Sequence, residues 1–174
     1  MNRVLSCFLA LLVVITLASP CQDGPSSKDF LVAGFTIHVI NNKDVPIEVI
    51  KVELIEDAKW PENISITIKN ISKKNIYLLH SGAIFPASAT FCDGLVLQGN
   101  WGDESLLSKW GDKVKPGTAS IAPGQSQVLR LKAPKDVVVG NFNAGNTANY
   151  SVTLANFGDG SFWSLMSGYR EVPQ

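Results

Sequence analysis

From Ile64 to Lys69 the chain reads Ile-Ser-Ile-Thr-Ile-Lys, with apolar and polar residues taking strict turns. A period of two sends successive side chains to opposite faces of an extended strand, so one face suits burial and the other suits water. The same pattern recurs along the chain. Leu31, Ala33, Phe35, Ile37 and Val39 alternate with Val32, Gly34, Thr36 and His38. Gln127, Leu129 and Leu131 alternate with Val128, Arg130 and Lys132, and Tyr150, Val152 and Leu154 make a last long run. Between Val45 and Glu56 the parity changes: Ile47 and Val49 share one face, Ile50, Val52 and Leu54 the other. Such a switch predicts a β-bulge or a strand that changes sheets. A helix through Ile47, Ile50, Leu54 and Ala58 is opposed by the β-branched content of this stretch.

Turn residues separate these runs. Asn41-Asn42-Lys43-Asp44 ends the first, and Ser72-Lys73-Lys74-Asn75 predicts a hairpin between the Ile64 run and Ile76–Leu79. Pro86 marks Ser81 to Cys92 as an edge or a loop. Leu95 and Leu97 form a short strand, Pro123-Gly124 a turn, Val137 to Val139 a brief strand, and Gly158-Asp159-Gly160 a turn into Ser161–Leu165. One helix is expected, of one or two turns from Asp103 to Trp110, with Asp103 as its cap. Seven to nine short strands predict an all-β, antiparallel β-sandwich forming one domain over residues 30–174.

Three segments carry a resemblance. Ile66-Thr67-Ile68-Lys69-Asn70-Ile71-Ser72-Lys73-Lys74-Asn75-Ile76 resembles the first hairpin of bacterial immunoglobulin-like domains. Ile121-Ala122-Pro123-Gly124-Gln125-Ser126 resembles their turn before a middle strand. Phe157-Gly158-Asp159-Gly160-Ser161-Phe162-Trp163 is similar to the ending of certain uncharacterised exported bacterial proteins. The resemblance implies an immunoglobulin-like β-sandwich and carries no activity. The Cys, Trp, Cys pattern of antibody domains is absent.

The N-terminus reads as an address. Arg3 precedes Val4–Leu17, an apolar run broken only by Ser6, Cys7 and Thr16. A run of this length falls short of the ~20 residues of a membrane span and suits the helix of a signal peptide, here residues 1–20. Cleavage after Ala18 would place Thr16 and Ala18 in the positions that demand small side chains. Residues 21–29 then read as a linker. Leu17-Ala18-Ser19-Pro20-Cys21 resembles a bacterial lipobox, from which Pro20 departs. Cys21 is therefore a candidate for lipidation, the sole membrane tether expected. Cys21 and Cys92 are equally candidates for a disulfide, worth ~4 kcal/mol in the loop-entropy account. As a third reading, Cys92 is simply a small buried apolar group.

Composition narrows function further. Fifteen basic residues balance 15 acidic ones, which leaves no long-range field for nucleic acid or an acidic membrane. The charged fraction of 17% is below the usual ~25%, which argues against disorder. A hydrolase would need a base, and only His38 and His80 are available, neither in a nucleophile motif. His80 and Ser81 are strand neighbours and point to opposite faces. No catalytic residue is assigned. Cys and His are not clustered for zinc, and Asp93, Asp103, Glu104 and Asp159 are scattered, so neither a metal nor a cofactor is expected. Gly140–Gly145 lacks the strand and helix of a phosphate loop.

The tryptophans remain. Trp163 belongs to the terminal hairpin and its core, and Trp60 to an end of the sandwich. Trp101 and Trp110 lie in a polar excursion, Gly99–Thr118, as candidate ligand-binding residues for a sugar ring or a peptide. The competing reading is that the excursion folds back and uses both rings as its own small core. Asn63, Asn70 and Asn149 each begin a glycosylation triplet, which matters only in a eukaryotic secretory pathway. These readings converge on an extracytoplasmic protein: periplasmic, lipid-anchored or secreted. It is expected to be a non-enzymatic binding or structural module of the cell envelope, with a protein or glycan partner. The alternative is a carbohydrate-binding module using Trp101 and Trp110, with a small envelope hydrolase behind it. Mass spectrometry of the protein from its native host is expected to find a chain starting between Ser19 and Gln22. An intact Met1 in the bulk of the protein refutes export by cleavage, and a diacylglyceryl mass on Cys21 decides between lipid and thiol.

Overall fold

Valine and isoleucine fill the inward positions of most strands, because their branched side chains pack on a pleated surface and resist the helix. The computed structural model describes residues 26–32, 34–55, 64–85, 95–107, 114, 117–133 and 147–171. In chain order their strands are β1 (Ser26–Val32), β2 (Phe35–Asn41), β3 (Ile47–Leu54), β4 (Ile64–Asn70), β5 (Leu78–Phe85) and β6 (Leu95–Gln98). They continue with β7 (Trp101–Gly102), β8 (Ser126–Arg130), β9 (Thr147–Asn156), β10 (Ser161–Ser164) and β11 (Gly168–Glu171). The protein is all-β, with two sheets: β3-β4-β8, and a larger one holding the other strands. Among the described residues this exceeds the seven to nine strands expected, chiefly through short additions such as β7 and β11.

β9 is the spine of the larger sheet. Along one flank it pairs antiparallel with β5; the other flank is shared by β2 over Thr147–Tyr150 and β10 over Leu154–Asn156. The β2–β9 pair is parallel, which corrects the expectation of a purely antiparallel sandwich. Parallel neighbours need a long connection, and here everything from β3 to β8 lies between them.

Two sequence expectations about strands change. The run from Leu31 to Val39 is not one strand but a hairpin, β1 against β2, turned at Gly34 with its φ of 86°. Its pairing takes in Ser26–Asp29, residues read from the sequence as the end of a linker. Ser81–Phe85 is neither loop nor edge: it belongs to β5, which is flanked on both sides and stops immediately before Pro86. The parity switch in β3 is a bulge, as expected. The register slips between Val49 and Lys51, so Val49 and Val52 are both buried while Ile50 is 40% exposed.

The largest correction lies after β4. Ser72–Asn75 does not close a hairpin, because β4 pairs with β3 and β8, whereas β5 lies in the other sheet. The chain crosses between the sheets instead, and Asn70 is the physical reason. Its side chain is buried, and Nδ2 donates to Lys74 O at 2.8 Å and to Ile121 O at 2.7 Å. Its Oδ1 accepts from Ser72 N at 2.9 Å and from the Ser72 hydroxyl at 2.7 Å. With both amide protons used, Asn70 is closed to glycosylation in the folded chain. Beyond the crossing, Ile76 forms a backbone bridge with Ile121.

The main core lies between the sheets. Ile66 and Ile68 of β4 meet Ile37 and Val39 of β2, Tyr150 of β9 and Trp163 of β10 in one buried cluster. A smaller cluster covers the outer face of the larger sheet, where Leu106 seals Leu78 and Leu154 with help from Tyr77, Val114 and Phe162. Leu106 is held there by a 3₁₀ turn, Glu104–Leu107, whose start Asp103 caps by accepting from Ser105 N at 3.0 Å. The described part of the excursion thus folds back through Leu106 and Val114, while Trp101 packs against the main core. The expected signal helix, Trp60, Cys92 and Val137–Val139 lie outside the described residues. Replacing Asn70 by Ala removes one hydrogen bond each from Lys74 O and Ile121 O, which keep Ser72 Oγ and Ile76 N respectively, and takes the acceptor from Ser72 N. A loss of roughly 2–4 kcal/mol is expected in urea unfolding at unchanged m-value.

Candidate functional site

Glycines place the first site. A Cβ on Gly99 would lie 2.8 Å from Leu131 Cδ2, and one on Gly102, whose φ is 100°, only 2.0 Å from Tyr77 O. Bare backbone at both positions lets β7 press against Leu78 and Leu79 of β5, and this fixes Trp101 between them. The Trp101 ring is half-buried against the main core. Its remaining face borders a groove of about 370 Å³ floored by Leu129. Gln98, Asn100, Arg130 and Lys132 stand around the rim. The groove marks a seam: Gln98 and Lys132 exchange backbone hydrogen bonds of 2.8 Å, joining β6 to the continuation of β8. Flat apolar area beside amide side chains and cations is chemistry suited to a polar ring such as a sugar. Trp110, the second candidate, and Cys21 and Cys92 lie outside the described residues.

A second site was not expected from the sequence. The turn before β3, the crossing after β4 and the β9–β10–β11 hairpins converge on a cleft of about 290 Å³. Val45, Pro46 and Ile71 form one side of it, and Phe157, Trp163 and Tyr169 the other. Lys74 lies at its base. Its ammonium donates to Asp159 Oδ2 at 2.8 Å, Ser161 Oγ at 2.9 Å and Tyr169 OH at 2.6 Å. It also stands 5.9 Å from the centre of the Phe157 ring and 5.3 Å from that of Tyr169. Asp159 Oδ1 in turn accepts from Ser161 N and Oγ, and Trp163 Nε1 donates to Lys43 O at 3.4 Å. Two of the three family-like segments therefore meet here, tied by one ion pair. The signal available in the sequence was that each segment carries a charge in a turn: Lys74 in one, Asp159 in the other.

These contacts decide what the groups can do. Hydrogen bonds to Asp159 and Tyr169 outweigh partial desolvation and raise the Lys74 pKa above its ordinary 10.5. Burial pushes Asp159 up, but hydrogen bonds from Lys74 and Ser161 overcome it and leave the carboxyl below its ordinary 3.8. The Ser161–Lys74 contact has the form of a serine–lysine dyad, yet this lysine stays charged at neutral pH and offers no lone pair to a serine proton. The histidines each meet one carboxylate: His38 Nδ1 lies 2.6 Å from Asp29, and His80 Nε2 lies 2.9 Å from Glu104. Among the hydrogen bonds of the described residues, neither ring reaches a hydroxyl. Among the described residues the buried Tyr150 hydroxyl has no well-formed hydrogen bond, and desolvation, partly offset by nearby Ser81, raises its pKa above the ordinary 10.0. No group of three or more His, Cys, Asp or Glu among the described residues could hold a metal ion.

Comparison with protein-family models, with curated proteins and with solved structures finds no match to this chain.

The sign of the Lys74–Asp159 linkage follows from the two shifts. A depressed Asp159 stabilises the fold above its ordinary range, and the contribution is lost as pH falls through its folded value. A raised Lys74 stabilises the fold below its ordinary range, and the contribution is lost as pH rises through its folded value. Asp159→Asn and Lys74→Met should each cost about 1 kcal/mol or less near neutrality, because both groups are partly exposed. Urea melts across pH should show the Asp159→Asn penalty shrinking toward strong acid and the Lys74→Met penalty shrinking toward strong alkali.

Proposed function

We propose that this chain is an exported, non-enzymatic binding or structural module of the cell envelope, built on an immunoglobulin-like β-sandwich. Two sheets around one core and a crossing that carries the chain between them support the sandwich reading. The charged start, short apolar run and small residues before Cys21 support export, with Cys21 a candidate for either a lipid tether or a disulfide to Cys92. Balanced charge supports a partner other than nucleic acid.

The observation that carries the binding reading is the seating of Trp101. A large ring is held at a groove beside amides and cations that face solvent. It is held by Gly102, where a side chain would strike the Tyr77 carbonyl, and by Gly99, where one would have to displace Leu131 and Ser81. A carbohydrate ligand is the second reading, favoured by Gln98 and Asn100 sharing that groove with the ring. Amide side chains offer donor and acceptor together, as vicinal hydroxyls require. The hydrolase reading ranks below both, since the described histidines meet exposed carboxylates alone.

A screen against glycans and peptidoglycan fragments tests the proposal. Trp101→Ala should abolish binding in a chain that still folds, with the moderate fall in melting temperature that loss of a half-buried ring entails. A His38→Ala, His80→Ala double variant should bind like the wild type. A sharp fall in melting temperature for Trp101→Ala, with no ligand found for either protein, would mean that the ring only completes the core.

A further inference from the structure

We infer that the cleft between the β4–β5 crossing and the C-terminal hairpins is a second binding site, and that it takes a small, neutral, ring-sized apolar ligand. It shares no residue with the Trp101 groove, so it stands independently of the function proposed above.

Size is the first argument. About 290 Å³ lies at the lower end of ligand-sized cavities, which leaves room for one ring system and little more. The walls are the second. Phe157 and Trp163 are buried in the fold, while Ile71 at 54% and Tyr169 at 44% carry the apolar lining out to solvent. Exposed apolar surface continuous with a concave one is a mark of binding rather than of an ordinary surface.

Polarity is the third and selects the class. The polar side-chain groups at the base are engaged within the fold. Lys74 gives its three protons to Asp159, Ser161 and Tyr169. The indole N–H of Trp163 goes to Lys43 O, and the Ser72 hydroxyl to Asn70 and Lys74. A ligand carboxylate would have to take Lys74 from Asp159, leaving that carboxylate without its cation. The charged lining residues are Asp44, Lys73 and Lys74, and the surplus cation, Lys74, is neutralised from outside the lining by Asp159. With Lys74 already paired to Asp159 and Asp44 offsetting Lys73, the site rewards apolar contact more than a ligand charge of either sign.

The test uses three probes of similar shape: indole, indole-3-carboxylate and tryptamine, titrated into the ¹⁵N-labelled chain. Indole should shift the Trp163 indole N–H and the amides of Ile71, Ser72 and Tyr169 saturably, with a Kd on the order of 1 mM for so small a ligand. Neither charged probe should bind more tightly than indole. Ile71→Ala, a change at an exposed position, should weaken indole about threefold. Tyr169→Phe keeps the ring and should keep the affinity. Absence of saturable shifts at these residues overturns the site. Carboxylate binding about tenfold tighter than indole would overturn the ligand class and make Lys74 an anion receptor.

Discussion

A single buried amide governs where this chain goes after its fourth strand. Asn70 sits at the inward position that continues Ile64, Ile66 and Ile68, where a fourth isoleucine would extend the core. A polar side chain can occupy that depth only if its hydrogen bonds are met. They are met by the chain folding over it, through Ser72, the Lys74 carbonyl and the Ile121 carbonyl. The backbone of Asn70 is tied in the same place, donating to Gln125 O and accepting from Gly124 N. The crossing, the Pro123-Gly124 turn and the Ile76–Ile121 bridge are therefore one structure closed around one residue. Lys74, through Asp159, Ser161 and Tyr169, then ties the far end of the crossing to the other sheet.

The larger sheet depends on a second local irregularity. Between His80 and Ser81 the register of β5 against β9 slips by one residue of β9, and Thr153 is the extra one, its hydroxyl donating to His80 O. Ala148, Tyr150 and Val152 face the core before the slip, and Ala155 and Phe157 face it after. Leu154 is thereby turned to the outer face, where it would be exposed in a bare sheet. The excursion after β7 supplies the cover through Leu106 and Val114. A one-residue bulge thus explains why an otherwise polar loop carries apolar residues and lies down on the sheet.

Much of this was legible in the residues, and what was not has a physical cause. Alternation found the inward faces of β2, β4 and β8, and that of β9 up to Val152. It grouped Leu154 with them, which the slip at Thr153 reverses. The parity change in β3 located its bulge to within a residue. The cap at Asp103 and the Pro-Gly turn were also readable, because both are local chemistry. The crossing was not, since polar turn residues serve a hairpin and an inter-sheet connection equally well. Its one trace was Asn70 at an apolar parity. β1 and β2 were merged because Gly34 falls in step with the alternation on both sides of it. The cleft was invisible for a different reason: Lys74 and Asp159 are 85 residues apart, and only the folded sheets make them neighbours. Trp101 could be singled out as a large ring in a polar stretch, but its groove is completed by Arg130 and Lys132 from the opposite sheet.

Lys74 shows how one group can serve both stability and site. An ammonium over two aromatic rings would ordinarily draw anions to a cleft. Here the same three donors that could grasp a ligand instead bind the crossing to the terminal hairpins, joining Asp159, Ser161 and Tyr169 from separate turns and strands. The loops at this end consequently owe their relative positions to a polar knot beneath the cleft, while the cleft above it keeps apolar walls. Rigid loops with their polar atoms already matched lose little entropy on binding and discriminate by shape. That separation, polar contacts for position and apolar surface for contact, is the physical basis for expecting a neutral ring where a lysine would otherwise suggest an anion.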